Sequence, residues 1–268
     1  NLIRKTIFSQ FCGGETLEES TRVVTKLKSM KVGSILDYSV EGKDNEEDFK
    51  KTFSEIIRIM ELAKGNPAIP YTSVKLTGLM PARLLEKINR KDNLNSSEQQ
   101  EYLQAKLRLV QLCSKAQTNN VPVYFDAEES WIQEAIDSLA EEMMISYNQK
   151  KAIVLTTLQM YRWDRLEYLV QLLKKAREGN YCIGVKLVRG AYLEKENARA
   201  LKEGRRSPIH STKENADRDF DDAVVLCLEN IDRVTLCAGT HNELSTLFLI
   251  NKMRELGIPN DHPNVYFS

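Results

Sequence analysis

Three charged side chains stand at the ends of apolar runs: Lys75 in "YTSVKLT" (71–77), Asp126 in "VPVYFDA" (121–127) and Lys186 in "CIGVKLVRGAY" (182–192). Cations and a carboxylate at neighbouring strand ends can bind an anionic ligand, hold a proton, or stabilise charge that develops in a reaction. Side chains alternate sides along a strand. In 182–192 one side carries Ile183, Val185 and Leu187, which suits packing against helices, so Lys186 falls on the other side and faces inward. The same alternation sends Ser73, Lys75 and Thr77 inward, and sets Tyr124 and Asp126 opposite Val123 and Phe125. Arg189 shares a side with Leu187 near the strand end, within reach of solvent or a ligand phosphate. A lone strand-end lysine is ordinarily a solvated rim residue. An aspartate after a strand ordinarily caps the next helix, and "DAEES" (126–130) would allow that. Three such residues on three strands, all inward, are more simply explained as balancing one another around a ligand, because an unpaired buried charge is costly.

A fourth group, "GTHN" (239–242), closes another apolar run. Thr240, His241 and Asn242 can hold polar ligand atoms, and the following helix start can hold a phosphate. Thr240 or Asn242 can equally be a helix cap. No G-x-G-x-x-G follows a strand, and no phosphate-binding P-loop is present. His210, His241 and His262 are far apart, and no Cys/His cluster or H-E-x-x-H supplies a metal site, so no metal is expected.

These residues need strands to hold them. Candidate strands are 34–40, 71–77, 121–127, 152–159, 182–192, 233–241 and 264–268. Between them run stripes at spacings of three and four, the signature of helices with one apolar face. They are Phe49, Phe53, Ile56 and Met60; Leu103, Leu107 and Val110; Ile132, Ile136, Leu139 and Met143; Leu166, Leu169, Val170 and Leu173; Phe220, Val224 and Cys227; and Leu244, Leu247, Phe248 and Met253. Polar residues 89–100 read as a loop into the next helix, with Ser96 or Ser97 as its cap. Strand and helix alternate throughout, which implies parallel pairing with helices outside. Seven strands in one run favour a (β/α)8 barrel, whose active sites lie at the C-terminal strand ends. Residues 1–33 form an arm, with a Gly13-Gly14 turn and a helix from about Thr16. Residues 34–268 form the barrel domain.

Composition narrows the function classes. The 268 residues are 42% apolar, enough for a large core, and 38 basic residues cancel 38 acidic ones. With no global basic field, nucleic acid is not an expected partner. Five scattered cysteines without C-x-x-C (Cys12, Cys113, Cys182, Cys227, Cys237) read as reduced thiols. No long apolar run suggests a membrane span.

Eight stretches in order resemble one family: "FCGGETLEE" (11–19), "LDYSVEG" (36–42), "VKLTGL" (74–79), "FDAEES" (125–130), "TLQMYRWD" (157–164), "GVKLVRGAYLEKE" (184–196), "PIHSTKENADRDF" (208–220) and "CAGTHN" (237–242). The chain resembles proline dehydrogenase, the flavin-dependent enzyme that begins proline catabolism, of the monofunctional bacterial or mitochondrial type. The resemblance implies a distorted (β/α)8 barrel with FAD at the C-terminal strand ends. It implies hydride transfer from C5 of L-proline to flavin N5, giving Δ1-pyrroline-5-carboxylate, with electrons passed to a membrane quinone. Carried over by motif, Lys75 resembles a lysine that contacts substrate, and Asp126 an active-site aspartate with Ala127 beside the flavin. Gln159 resembles a flavin-contacting glutamine, and Lys186 a basic residue close to the flavin's reactive edge. Val188, Arg189, Gly190 and Ala191 fall where backbone and side chain hold the cofactor, with Gly190 allowing close approach. Tyr192 resembles a tyrosine near the substrate, and Thr240, His241 and Asn242 a Thr-His-Asn that binds FAD. Asp37 and Glu41 resemble acidic residues at the mouth of the first strand.

Two other readings stand beside this one: 4-hydroxyproline as the substrate, and a non-catalytic module that keeps the fold. Membrane contact is expected to be peripheral at most. The expected location is the bacterial cytoplasm, at the inner membrane, or the matrix side of a mitochondrion. The family pattern continues past Ser268 with an eighth strand and a final helix, whose tyrosine and paired arginines clamp the proline carboxylate. Y-x-x-R-R does not occur in the chain, and "GRRSP" (204–208) lies elsewhere. That strand and helix are therefore expected in a longer native chain or to have been removed by truncation, and without them weak proline turnover is expected.

Overall fold

Seven runs rich in Val, Ile, Leu and Tyr form strands in this computed structural model, which describes residues 14, 16–38 and 44–268. Residues 1–13 of the N-terminal arm, with Cys12 and Gly13 of the expected turn, and Ser39, Val40 and Glu41 lie outside the described residues. The strands are β1 (Ile35–Asp37), β2 (Tyr71–Val74), β3 (Val123–Phe125), β4 (Val154–Gln159), β5 (Ile183–Val188), β6 (Val234–Ala238) and β7 (Val265–Phe267). The helices among the described residues are α1 (Leu17–Ser29), α2 (Glu46–Ala63), α3 (Ala82–Asn89), α4 (Ser96–Asn119), α5 (Ser130–Tyr147), α6 (Arg165–Gly179), α7 (Leu193–Lys202), α8 (Lys213–Glu229) and α9 (Glu243–Glu255). A short 3-10 turn, Leu76–Gly78, follows β2.

The strands pair in chain order, all parallel, with registers such as Thr157↔Lys186 and Lys186↔Cys237. The two faces of the sheet bury different clusters. Val74, Val123, Phe125, Val154, Leu158, Val185, Leu187 and Leu236 pack outward against the helices. Tyr71, Tyr124, Leu155 and Cys237 form a second cluster on the inner face, joined by Ile35 and Tyr266. The Tyr71 ring lies 4.8 Å from that of Tyr266, although β2 and β7 are five strands apart in the sheet. Strands sit about 4.8 Å apart, so a flat sheet would separate those rings by more than 20 Å. The sheet is therefore curled into a half-barrel, with helices outside and aromatic rings filling its floor.

The strands are shorter than the sequence runs; β5 ends at Val188 and leaves Arg189 to Tyr192 as a loop. Three helical stripes also differ. Leu103 and Leu107 are exposed, and α4 instead buries Ala105, Leu109, Leu112, Cys113 and Ala116. Arg108 turns that face inward. It donates to the Leu79 carbonyl (2.8 Å), pairs with Glu46 and lies over the Phe49 ring. Val170 on α6 and Leu244 and Leu247 on α9 are likewise exposed, while Leu172 and Leu249 are buried. The cap of α4 is Asn95 rather than a serine. It accepts from the Glu98 amide, and the Glu98 side chain accepts from the Asn95 amide, a reciprocal capping box. Helices α3 and α7 carry no long apolar stripe and have no counterpart among the sequence-based stripes. Cys113, Cys227 and Cys237 are buried free thiols, and Cys182 is a half-buried one. Among the described residues no helix is long and apolar enough to cross a membrane.

Candidate active site

Parity along β3, β4 and β5 brings the charged residues into one cleft of about 500 Å³ at the C-terminal strand ends. Lys186 donates to Asp126 Oδ1 at 2.5 Å, and each side chain is 16% exposed. Thr157, inward on β4 between them, donates to the same oxygen at 3.3 Å. The Lys186 ammonium also lies 5.1 Å from the centre of the Tyr124 ring on the barrel floor. Asp126 is thus not a helix cap, since α5 begins four residues later with Glu129 at its N-cap. Lys75, just past β2, lines the same cleft, as do Ala127, Val188, Gly190, Ala191, Tyr192 and His241.

Gln159 closes the end of β4. Its Nε2 donates to the Glu128 carbonyl (2.8 Å) and its Oε1 accepts from the Ala191 amide (3.1 Å). One side chain therefore ties the loop after β3 to the loop after β5. Gly190 has φ +146°, and a Cβ there would lie 2.4 Å from the Tyr161 ring. Within this structure its missing side chain serves that ring, whose hydroxyl also accepts from the Tyr192 amide (3.3 Å).

Arg189 is half-buried and paired. It donates to Asp217 (2.6 Å), Thr240 Oγ1 (2.6 Å) and Ser245 Oγ (3.1 Å), with its guanidinium over the Phe220 ring. It binds the ends of β5 and β6 to α8 and α9, with both its Nε and an Nη within 2.6 Å of the Asp217 carboxylate. Asn242 caps α9, accepting from the Leu244 and Ser245 amides. The cap reading of "GTHN" holds for Asn242. Thr240, His241 and Asn242 line the cleft, yet two of the helix-start amides are already taken.

Asp37 is the exception among the sequence-based candidates. It is exposed at the end of β1 and lines a separate pocket with Tyr38, Glu55 and Arg58. Two cleft residues were missed. Thr157 was reachable by counting two back from Gln159, and Lys213 sits in the "STKEN" stretch at the first position of α8, paired with Asp217 at 2.5 Å. Beneath the cleft, burial pushes the Glu128 carboxyl up to about 7 despite its hydrogen bonds from the Thr77 amide and hydroxyl. The described lining carries Lys75, Lys186, Arg189 and Lys213 against the single carboxylate of Asp126, so it suits an anionic ligand.

Comparison with known proteins adds to this geometry. A family profile described as proline dehydrogenase matches residues 20–268. The carbapenem antibiotics biosynthesis protein CarD of Pectobacterium carotovorum is 32% identical over 243 residues, covering 91% of this chain and 64% of that protein. Mitochondrial proline dehydrogenase 1 of Dictyostelium discoideum is 27% identical over 311 residues, covering 99% of this chain and 54% of that protein. The chain thus spans less than two thirds of the length of either relative. A crystal structure of proline utilization A from Bdellovibrio bacteriovorus superposes with a TM-score of 0.84 at 19% identity, covering 99% of this chain and 29% of that one, a likeness of fold.

Proposed function

The chain belongs to the proline dehydrogenase family, and from that premise we propose that it oxidises L-proline to Δ1-pyrroline-5-carboxylate with FAD bound in the cleft. The observation that carries this reading is the convergence of Lys75, Asp126, Thr157 and Lys186 from four strand ends on one cationic cleft. The donor set fits the cofactor. Arg189 and Lys213 suit a phosphate-bearing group on the β5–β6 side, and Lys186 suits negative charge at the flavin's pyrimidine end. Val188, Gly190, Ala191, Ala127, Gln159, Thr240, His241 and Asn242 complete that binding surface. When bound, FAD would supply the acceptor for a hydride from the carbon next to the proline nitrogen.

The chain's own residues then do the following. Lys75 holds the substrate by its anionic end. Asp126, fixed by Lys186 and Thr157, faces the amine and takes or shares its proton. Tyr192 packs beside the ring, while Asp37 lines a pocket of its own rather than the cleft. We further propose that residues 34–268 are the catalytic domain, that the half-barrel is part of a (β/α)8 barrel, and that a quinone takes the electrons at the surface of a membrane touched only peripherally.

Anaerobic addition of L-proline to FAD-loaded protein tests the reading. Bleaching of the flavin band supports it. A flavin band unmoved by proline but bleached by 4-hydroxyproline would transfer the reading to that substrate. A protein that binds no flavin at all would overturn it.

A further inference from the structure

Helix α7 interrupts the usual step from strand to outer helix, and it starts at the cleft: Tyr192 is its N-cap. One turn in, Glu196 is fully buried, a costly place for a carboxylate. It accepts from the Ser130 amide and the Ser130 hydroxyl, both at 2.6 Å. Ser130 is the first residue of α5, so the charge sits at a helix N-terminus, where amide groups and the helix dipole favour an anion. Nearby contacts run the same way. Lys195 pairs with Glu129 at 2.8 Å, and Arg199 lies over the Trp131 ring while pairing with Glu86. Glu196 belongs to none of the cleft lining.

The two segments joined in this way are the walls of the cleft. The loop into α5 carries Asp126 and Ala127, and the loop into α7 carries Ala191 and Tyr192. Gln159 links them at the level of β4, and Glu196 links them again one helical turn behind. We propose that Glu196, acting through Ser130, is a positioning residue that fixes the spacing between Asp126 and Tyr192 and thereby the orientation of the bound substrate. This rests on the proline-oxidation reading for its kinetic consequence, but not for the clamp itself. The anionic clamp also explains why α7 stays in place with so little apolar surface of its own: only Glu196 and Ala200 are buried along it.

The test uses the full chain with three variants, Ser130→Ala, Ser130→Thr and Glu196→Ala, and two readouts. Hydrogen exchange of the α7 amides reads the clamp directly. KM and kcat for L-proline read its consequence. Ser130→Ala removes one of two bonds and leaves the fold, so it keeps the test valid if Glu196→Ala fails to fold. The expected result is faster exchange across residues 193–202 in Ser130→Ala, and a KM raised about tenfold with kcat less affected, since small misplacements of a binding wall are expensive. Ser130→Thr restores the hydroxyl and returns both readouts toward wild type. Unchanged α7 exchange in Ser130→Ala overturns the clamp, whatever the activity. Faster exchange with unchanged KM overturns the positioning role. If wild-type protein does not oxidise proline, the functional reading falls, and the exchange result alone decides the clamp.

Discussion

Asp126 and Lys186 are held 2.5 Å apart, mostly out of water, and Thr157 leaves Asp126 one oxygen with no partner from this trio. A pair in that setting is a poor device for stability, because desolvation offsets much of its attraction. Its value lies in aiming a carboxylate and an ammonium at the same space. Asp126→Ala and Lys186→Ala are therefore expected to lower proline turnover by about a hundredfold or more, the usual scale for a lost proton-handling group, while both variants remain folded by circular dichroism. Lys186→Ala is also expected to make the flavin midpoint potential more negative in a spectroelectrochemical titration, and an unchanged potential would remove its role in stabilising charge. Glu128 gives a different signal. Burial raises its carboxyl from an ordinary 4.5 to about 7, so the folded protein favours the protonated form. Its contribution to stability is complete below about pH 4.5 and is lost as pH rises toward 7, by at most ~3 kcal/mol from linkage. Urea titrations of Glu128→Gln should show a shallower fall in stability than wild type between pH 5 and pH 7, and parallel curves would contradict the assignment.

At the scale of elements, strands were easier to read than helices. A period of two leaves only two choices of face, and once Val185 and Leu187 point at helices the inward side of β5 follows. That is why Lys75, Asp126 and Lys186 could be placed together from residues alone. A spacing of three or four fits more than one face of a helix, so Leu103 and Leu107 mimicked a buried stripe. The true stripe of α4 was hidden by Arg108, a charge that is buried because Glu46 and a carbonyl receive it. Helix α7 was illegible for a related reason: it is held by Glu196 and Arg199 rather than by apolar residues. Cofactor and substrate came from motif resemblance, not from any of this patterning. The cap of α4 belongs here too. Asn95 and Glu98 satisfy two helix-start amides of a 24-residue helix. Asn95→Ala should therefore cost about 1 kcal/mol, seen as a lower urea midpoint with an unchanged slope. Ser97→Ala, which removes no cap, should leave the midpoint in place.

For the molecule as a whole, basic and acidic side chains cancel at 38 each, so a distant anion meets no net field. The charges are not evenly placed. Lys75, Lys186, Arg189 and Lys213 line the cleft, where Asp126 is the one lining carboxylate. Such a cluster acts over about a Debye length, ~10 Å at 0.1 M salt, so on the proposed reading it would draw in an anionic dinucleotide only near the cleft mouth. Binding of FAD to the apoprotein should then be salt-dependent but modestly so. A loss of about tenfold in affinity between 50 mM and 500 mM salt is the scale expected from local charge that salt screens. Lys213 is the most exposed of the described partners in its ion pair, and it stands at the start of α8 on the cleft rim. Lys213→Ala should therefore flatten the salt dependence measured by flavin fluorescence quenching, with its largest effect at low salt. Lys26→Ala, on the exposed side of α1, should change neither affinity nor slope. If wild-type affinity does not vary with salt, or if the two lysine variants behave alike, the charges of the cleft are not what recruits the cofactor, and shape and hydrogen bonding around Gln159 and Thr240 must carry its binding instead.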